Sequence, residues 1–106
     1  GNFGDITLAA NVTAVKFYNA PADGSVTTVT AKITQDSSVR TIDYADSAVS
    51  VYSDTSSGVT GEIKFAGGAH HVQSTGSGAV DLVSFTCIPS GSTFNIYAAV
   101  IGQAFA

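Results

Sequence analysis

Apolar and polar residues alternate in short stretches along this chain, and turn-forming residues separate the stretches. Ile6 and Leu8 alternate with Asp5 and Thr7, and Val15 and Phe17 with Lys16 and Tyr18. Asn19-Ala-Pro-Ala-Asp-Gly24 then reads as a turn, with Asp23-Gly24 suited to positive φ. Over residues 25–34, Val29, Ala31 and Ile33 face one way, and Thr28, Thr30, Lys32 and Thr34 the other. Gln35-Asp-Ser-Ser38 breaks the pattern, Ile42 and Tyr44 share a face of residues 40–45, and Val49 and Val51 repeat it. Asp54-Thr-Ser-Ser-Gly58 is the next turn, and Ile63 and Phe65 alternate with Glu62 and Lys64 before Gly67-Gly68. A period of two residues is the mark of a half-buried strand. Seven or eight such strands, with no capped helical pattern, predict an all-β chain: an antiparallel β-sandwich or a jelly-roll-like β-roll.

The last third departs from clean alternation. Val80, Leu82, Val83, Phe85, Cys87 and Ile88 place apolar groups on both faces of one strand. Phe94, Ile96, Tyr97, Val100, Ile101 and Phe105 do the same in the next, where the Ala-rich ending reads as strand rather than helix. An antiparallel strand with one wet face alternates, so these two need cover on both sides. Either they are central strands with loops packed outside, or a second subunit covers them. The subunit reading makes Phe94, Ile96, Val100, Ile101 and Phe105 an interface, with Ala98, Ala99, Gly102 and Ala104 allowing close approach.

Composition sharpens this picture. The chain has 106 residues, enough for a single domain spanning 1–106, and only 11% are charged, against about 25% in an ordinary soluble domain. Thr, Ser, Ala, Gly and Val fill the gap, and β-branched residues favour pleated sheet. The net charge is −4, and the only cations are Lys16, Lys32, Arg40 and Lys64, scattered along the chain. Nucleic acid needs clustered cations, so it is not an expected partner. No apolar run reaches the roughly 20 residues of a membrane span, and no membrane insertion is expected. Cys87 is the only cysteine, so no internal disulfide forms.

Candidate chemistry is sparse. His70 and His71 are adjacent, and neighbours on a strand point to opposite faces, so they do not share a metal within one subunit. A metal site needs three or four convergent ligands. The pair reads as two solvated imidazoles on a polar hairpin, although a trimer axis would gather three copies of one of them. Most carboxylates sit in turns or at strand ends, where they accept backbone N–H bonds. No serine lies in a Gly-x-Ser-x-Gly elbow, and Cys87 sits among apolar neighbours as an inert thiol. Gly67-Gly68 and Gly76-Ser-Gly78 lack the Lys of a phosphate loop. Neither an enzyme, a metal nor a cofactor is expected.

The order of segments carries a resemblance. Ile6-Thr-Leu-Ala-Ala-Asn-Val-Thr13 leads into Phe17-Tyr-Asn-Ala-Pro-Ala-Asp-Gly24. Thr34-Gln-Asp36, Arg40-Thr-Ile42, Phe65-Ala-Gly-Gly68, Val80-Asp-Leu-Val-Ser-Phe85 and Val100-Ile-Gly-Gln-Ala-Phe-Ala106 follow. Over nearly its whole length the chain resembles a β-rich module of tail-fibre and other virion surface proteins of tailed bacteriophages. It departs at Phe65 and at Phe94-Asn-Ile-Tyr97, where such modules often carry Trp, and at Pro89-Ser-Gly91, where they carry an Asp-Gly-Gly turn. An extra segment, residues 49–61, enlarges the middle, and the strand usually found upstream of Phe3 is missing. The chain is thus expected to be part of a longer fibre protein, or a trimmed version.

The resemblance implies a trimeric structural module on the virion surface, in a tail fibre, spike or tip, that attaches to the host. Its partners would be other virion proteins and a host surface glycan or protein. Turn residues Asn19, Asp23, Asp54, His70, His71 and Ser74 are the candidate receptor contacts, because a rigid sheet holds varied loops. Tyr18, Tyr44 and Tyr52 are candidate platforms for sugar rings. A capsid decoration or cement protein on the capsid exterior is the alternative, and a stand-alone carbohydrate-binding module a further one. A glycan hydrolase lacks a carboxylate pair in this sequence.

Overall fold

A computed structural model describes residues 2–18, 20–22, 24–52, 59–91 and 93–105. It contains β1 (Asn2–Thr7), β2 (Val15–Phe17), β3 (Thr27–Thr34), β4 (Val49–Val51), β5 (Val59–Thr60), β6 (Glu62–Phe65), β7 (Val80–Ser90) and β8 (Thr93–Phe105), with one 3-10 turn at Asp46–Ala48. Strands dominate because the period-two stretches each bury one face. In β6 the outer Glu62 and Lys64 alternate with the buried Ile63 and Phe65. In β7 the buried row is Asp81, Val83, Phe85, Cys87 and Pro89.

Five strands form one sheet in the order β1-β3-β7-β8-β6, and β2-β4-β5 form a second. Both sheets are mixed rather than antiparallel. β1 and β3, β6 and β8, and β2 and β4 pair in parallel, while β3–β7, β7–β8 and β4–β5 are antiparallel. The cause is the path of the chain. After β1 it visits β2 in the other sheet and returns as β3 beside β1, and parallel neighbours require such a crossover. Alternation specifies which face of a strand is buried but not the direction of its neighbour.

The expected strand at residues 40–45 is reduced to a single bridge between Val12 and Ile42. The Asp43 carboxylate accepts the Ala45 N–H, bending the chain ahead of the 3-10 turn at Asp46, although Tyr44 is still buried. The turns at residues 19, 23 and 53–58 lie outside the described residues.

The core lies between the sheets. Ala31, Ile33, Val83, Phe85, Ile96 and Ala98 come from the large sheet, and Val49 and Val51 from the small one. Phe17 meets Phe85 edge-on at 5.5 Å across the gap, an arrangement the ring quadrupoles favour. Gly61 sits where a methyl would lie 2.7 Å from Val51 Cγ2, so only glycine lets β6 approach β4 this closely. At the other margin, Gly4 carries no side chain, and an apolar cleft of about 330 Å³ opens between β1 and β2, floored by Ile33 and Phe85.

The molecule measures 40 × 24 × 22 Å. The 13 residues of β8, at roughly 3.3 Å each, nearly span it. β8 has β6 beside it only as far as Ala98. Up to that point its inner side chains are core; beyond it they are exposed.

Candidate functional site

Between the turns at residues 66–68 and 76–78, the segment joining β6 to β7 forms no strand, yet burial alternates over residues 70–73. His70 and Val72 face out, and His71 and Gln73 face in. His71 is 4% exposed and is not a solvated imidazole. Its Nδ1 lies 2.8 Å from Tyr44 Oη, and its Nε2 lies 2.7 Å from Asp81 Oδ2. A carboxylate only accepts, so Nε2–H donates to Asp81; in the neutral ring Nδ1 accepts from the Tyr44 hydroxyl. Burial, and then the negative charge of Asp81, push the Tyr44 phenol well above its ordinary range.

Asp81 is the centre of this arrangement. Its side chain is completely buried. Besides His71, the Ser74 hydroxyl donates to it at 2.6 Å, the Ser74 N–H at 2.9 Å, Gln103 Nε2 at 3.1 Å and the Ala104 N–H at 2.9 Å. Burial alone would raise the carboxyl. The bonds from Ser74, the Ala104 N–H and His71 outweigh it and hold the group well below the usual carboxylate range. Ser74 Oγ is bonded to the carboxylate rather than to the imidazole, and Tyr44 is 3% exposed. The chain of groups therefore presents no activated hydroxyl at the surface; it fastens segments together. Among the described residues, no three His, Cys, Asp or Glu side chains converge as metal ligands.

What Asp81 fastens is the far end of β8. Gln103 bonds both Asp81 and the Val72 carbonyl, the latter at 2.7 Å. Ala104 takes φ 57°, a left-handed conformation that non-glycine residues seldom adopt. It redirects the strand so that the Phe105 ring lies over Gly102, where a methyl would be 2.5 Å from the ring. The result is a hydrogen-bonded end bearing exposed apolar side chains: Val72, Val100, Ile101 at 58% and Phe105 at 49%.

The expected subunit interface thus divides. Val100, Ile101 and Phe105 are exposed on this end. Phe94 and Ile96 are corrected: at 4% and 0% exposure they are core residues of the chain itself. Ile96 lies where β8 is flanked by both β7 and β6, and Phe94 precedes that stretch, paired with Pro89 of β7.

Of the expected receptor contacts, His70 is exposed, its ring 5.5 Å from Phe65. His71 is corrected to an internal fastener, buried against Asp81 and Tyr44, while Ser74 is half-buried with its hydroxyl bonded to Asp81. Asn19, Asp23 and Asp54 lie outside the described residues. Tyr44 is a core residue rather than a platform, while Tyr18 and Tyr52 stack on each other at 4.7 Å.

Sequence reasoning passed over Asp81 and Gln35. The signal for Asp81 was a lone carboxylate in the otherwise apolar run Val80–Ile88; such a group is buried only with partners. Gln35 is the buried anchor of its turn. Its amide nitrogen donates to the Arg40 and Ser74 carbonyls, and its oxygen accepts the Asp36 and Arg40 N–H groups.

Compared with known protein families, characterised proteins and solved structures, the chain has no significant match.

Proposed function

We propose that this chain is a non-enzymatic virion surface module of a tailed bacteriophage, a tail-fibre or tip element that attaches to the host. In this reading it is a jelly-roll-like sandwich that works as a homo-trimer. The single observation carrying it is the fastened apolar end of β8. Val72, Val100, Ile101 and Phe105 stay exposed although Asp81 bonds the chain at Ala104 and, through Gln103, at Val72. Large apolar side chains left exposed at one end of a chain favour an interaction that covers them. Closed symmetry seals such a patch, because each copy covers the next. Covering it contributes about 1.5–3 kcal/mol for each large side chain fully buried. The threefold symmetry and the virion setting come from the sequence resemblance.

Light scattering on the purified chain tests the assembly. A trimer is expected, and Ile101→Asp should release folded monomers. A wild-type chain that stays monomeric at high concentration while folded overturns the reading. Binding assays then separate the settings. A fibre module binds host cells, whereas a decoration protein binds tail-less capsids and leaves cells alone.

A further inference from the structure

The outer face of the large sheet carries a second feature, made by neighbours in the pairing register. Thr28, Thr86, Tyr97 and Lys64 lie side by side across β3, β7, β8 and β6. The next row is small: Thr30 pairs with Ser84 and Ser84 with Ala99, and the Ala66 N–H bonds the adjacent Ala98 carbonyl. Tall side chains beside short ones leave a trough of about 350 Å³, bounded by Lys64, Ala66, Ser84, Thr86, Tyr97 and Ala99. That lies within the roughly 300–1,000 Å³ of small-molecule sites, and it is open to solvent as a glycan site must be.

We infer that this trough binds an acidic saccharide, a sugar ring bearing a carboxylate. Tyr97 is 45% exposed, and its ring offers an apolar face to the C–H face of a sugar. Thr86 uses one hydrogen-bonding position on Thr28, at 3.0 Å, and a hydroxyl has three. Ser84 adds a second hydroxyl on the floor. Lys64 also lines the trough, with its Nζ over the Tyr97 ring at 6.0 Å from the centroid. Among the described residues no carboxylate lies within 4.0 Å of Lys64, in a chain whose net charge is −4. An exposed cation with no carboxylate beside it among the described residues is the complement of a ligand carboxylate. Glu62, two residues along β6, pairs with Asn95 on the side of Lys64 away from the small row, so it does not face the carboxylate.

The inference deepens the attachment reading by naming the ligand class, but it is tested without cells. Calorimetric titration of the purified chain uses sialyllactose and trigalacturonate, with lactose as the neutral control. Saturable binding of an acidic sugar, weakened by salt, is expected. Lys64→Gln should weaken it about fivefold, and Tyr97→Ala roughly tenfold. Ala99→Leu should abolish it by filling the trough, and Glu62→Gln should leave it unchanged or stronger. No binding of either acidic sugar overturns the proposal. So does binding unaffected by Tyr97→Ala and Ala99→Leu in folded variants, or equal binding of lactose. A chain that binds these sugars but no host cell keeps this site and overturns attachment. One that binds cells equally well as Tyr97→Ala, and neither acidic sugar, does the reverse.

Discussion

His71 Nε2 and Asp81 Oδ2 lie 2.7 Å apart with both side chains fully buried. The pair joins a segment that forms no strand to the second residue of β7. Because the Ala104 N–H and Gln103 also end on Asp81, one carboxylate positions both the loop and the exposed end of β8.

Asp81→Asn should therefore be strongly destabilising. It removes the charge and sets an amide donor among donors. Breaking a buried, hydrogen-bonded pair costs about 3–5 kcal/mol, a large share of the 5–15 kcal/mol of a typical domain. Urea unfolding measures it. A loss below about 1 kcal/mol would show that the bonds are made no better in the fold than in water.

Acid should act through the same group. In the unfolded chain Asp titrates near 3.9, and in the fold it is held well below that despite its burial. A depressed carboxyl lends stability that is complete above the unfolded value and is lost as pH falls from there toward the folded one. Stability should drop below about pH 4, and Asp81→Asn should flatten that acid limb. Asp36, lowered chiefly by its bond from Arg40, titrates in the same direction but is solvent-accessible, so Asp36→Asn should change the limb little. Denaturant midpoints from pH 2 to pH 7 read the difference.

Gly61→Ala should cost about 1–3 kcal/mol, the usual effect of overpacking. The added methyl would meet Val51 Cγ2 at 2.7 Å and Val49 Cγ1 at 3.3 Å, both stiff β-branched side chains in the core. An unchanged thermal midpoint would mean that β4 shifts freely.

Cys87 should resist modification in the folded chain. It is buried, and burial pushes its thiol up, so little reactive thiolate forms at neutral pH. A disulfide-exchange reagent should label it at the rate of unfolding, and in seconds once denaturant is added. Rapid labelling of the native chain would contradict its place in the core.

Much of the strand inventory could be read from the chain. The period of two at Val29, Ala31 and Ile33, and at Ile63 and Phe65, reflects a local rule, because alternate residues of a strand face opposite ways. The same rule separated His70 from His71. It did not say which of the two faced the interior, since that depends on where Asp81 and Tyr44 arrive from other strands. The site was less legible for the same reason. Ser74 looks like any turn serine until Asp81 is beside it. Tyr97 and Lys64 are unremarkable in sequence until the parallel register of β6 with β8 makes them neighbours.

The amino-acid sequence alone determined that the chain is all-β, which positions alternate, and that Cys87 has no internal disulfide partner. These follow from residue types and from spacing within a strand. Only the tertiary structure decided that the sheets are mixed, that Phe94 and Ile96 belong to the chain's own core, and that Val100, Ile101 and Phe105 remain exposed. Those outcomes depend on which strand lies beside which. β6 accompanies β8 only to Ala98, and no periodicity along either strand encodes where its neighbour ends.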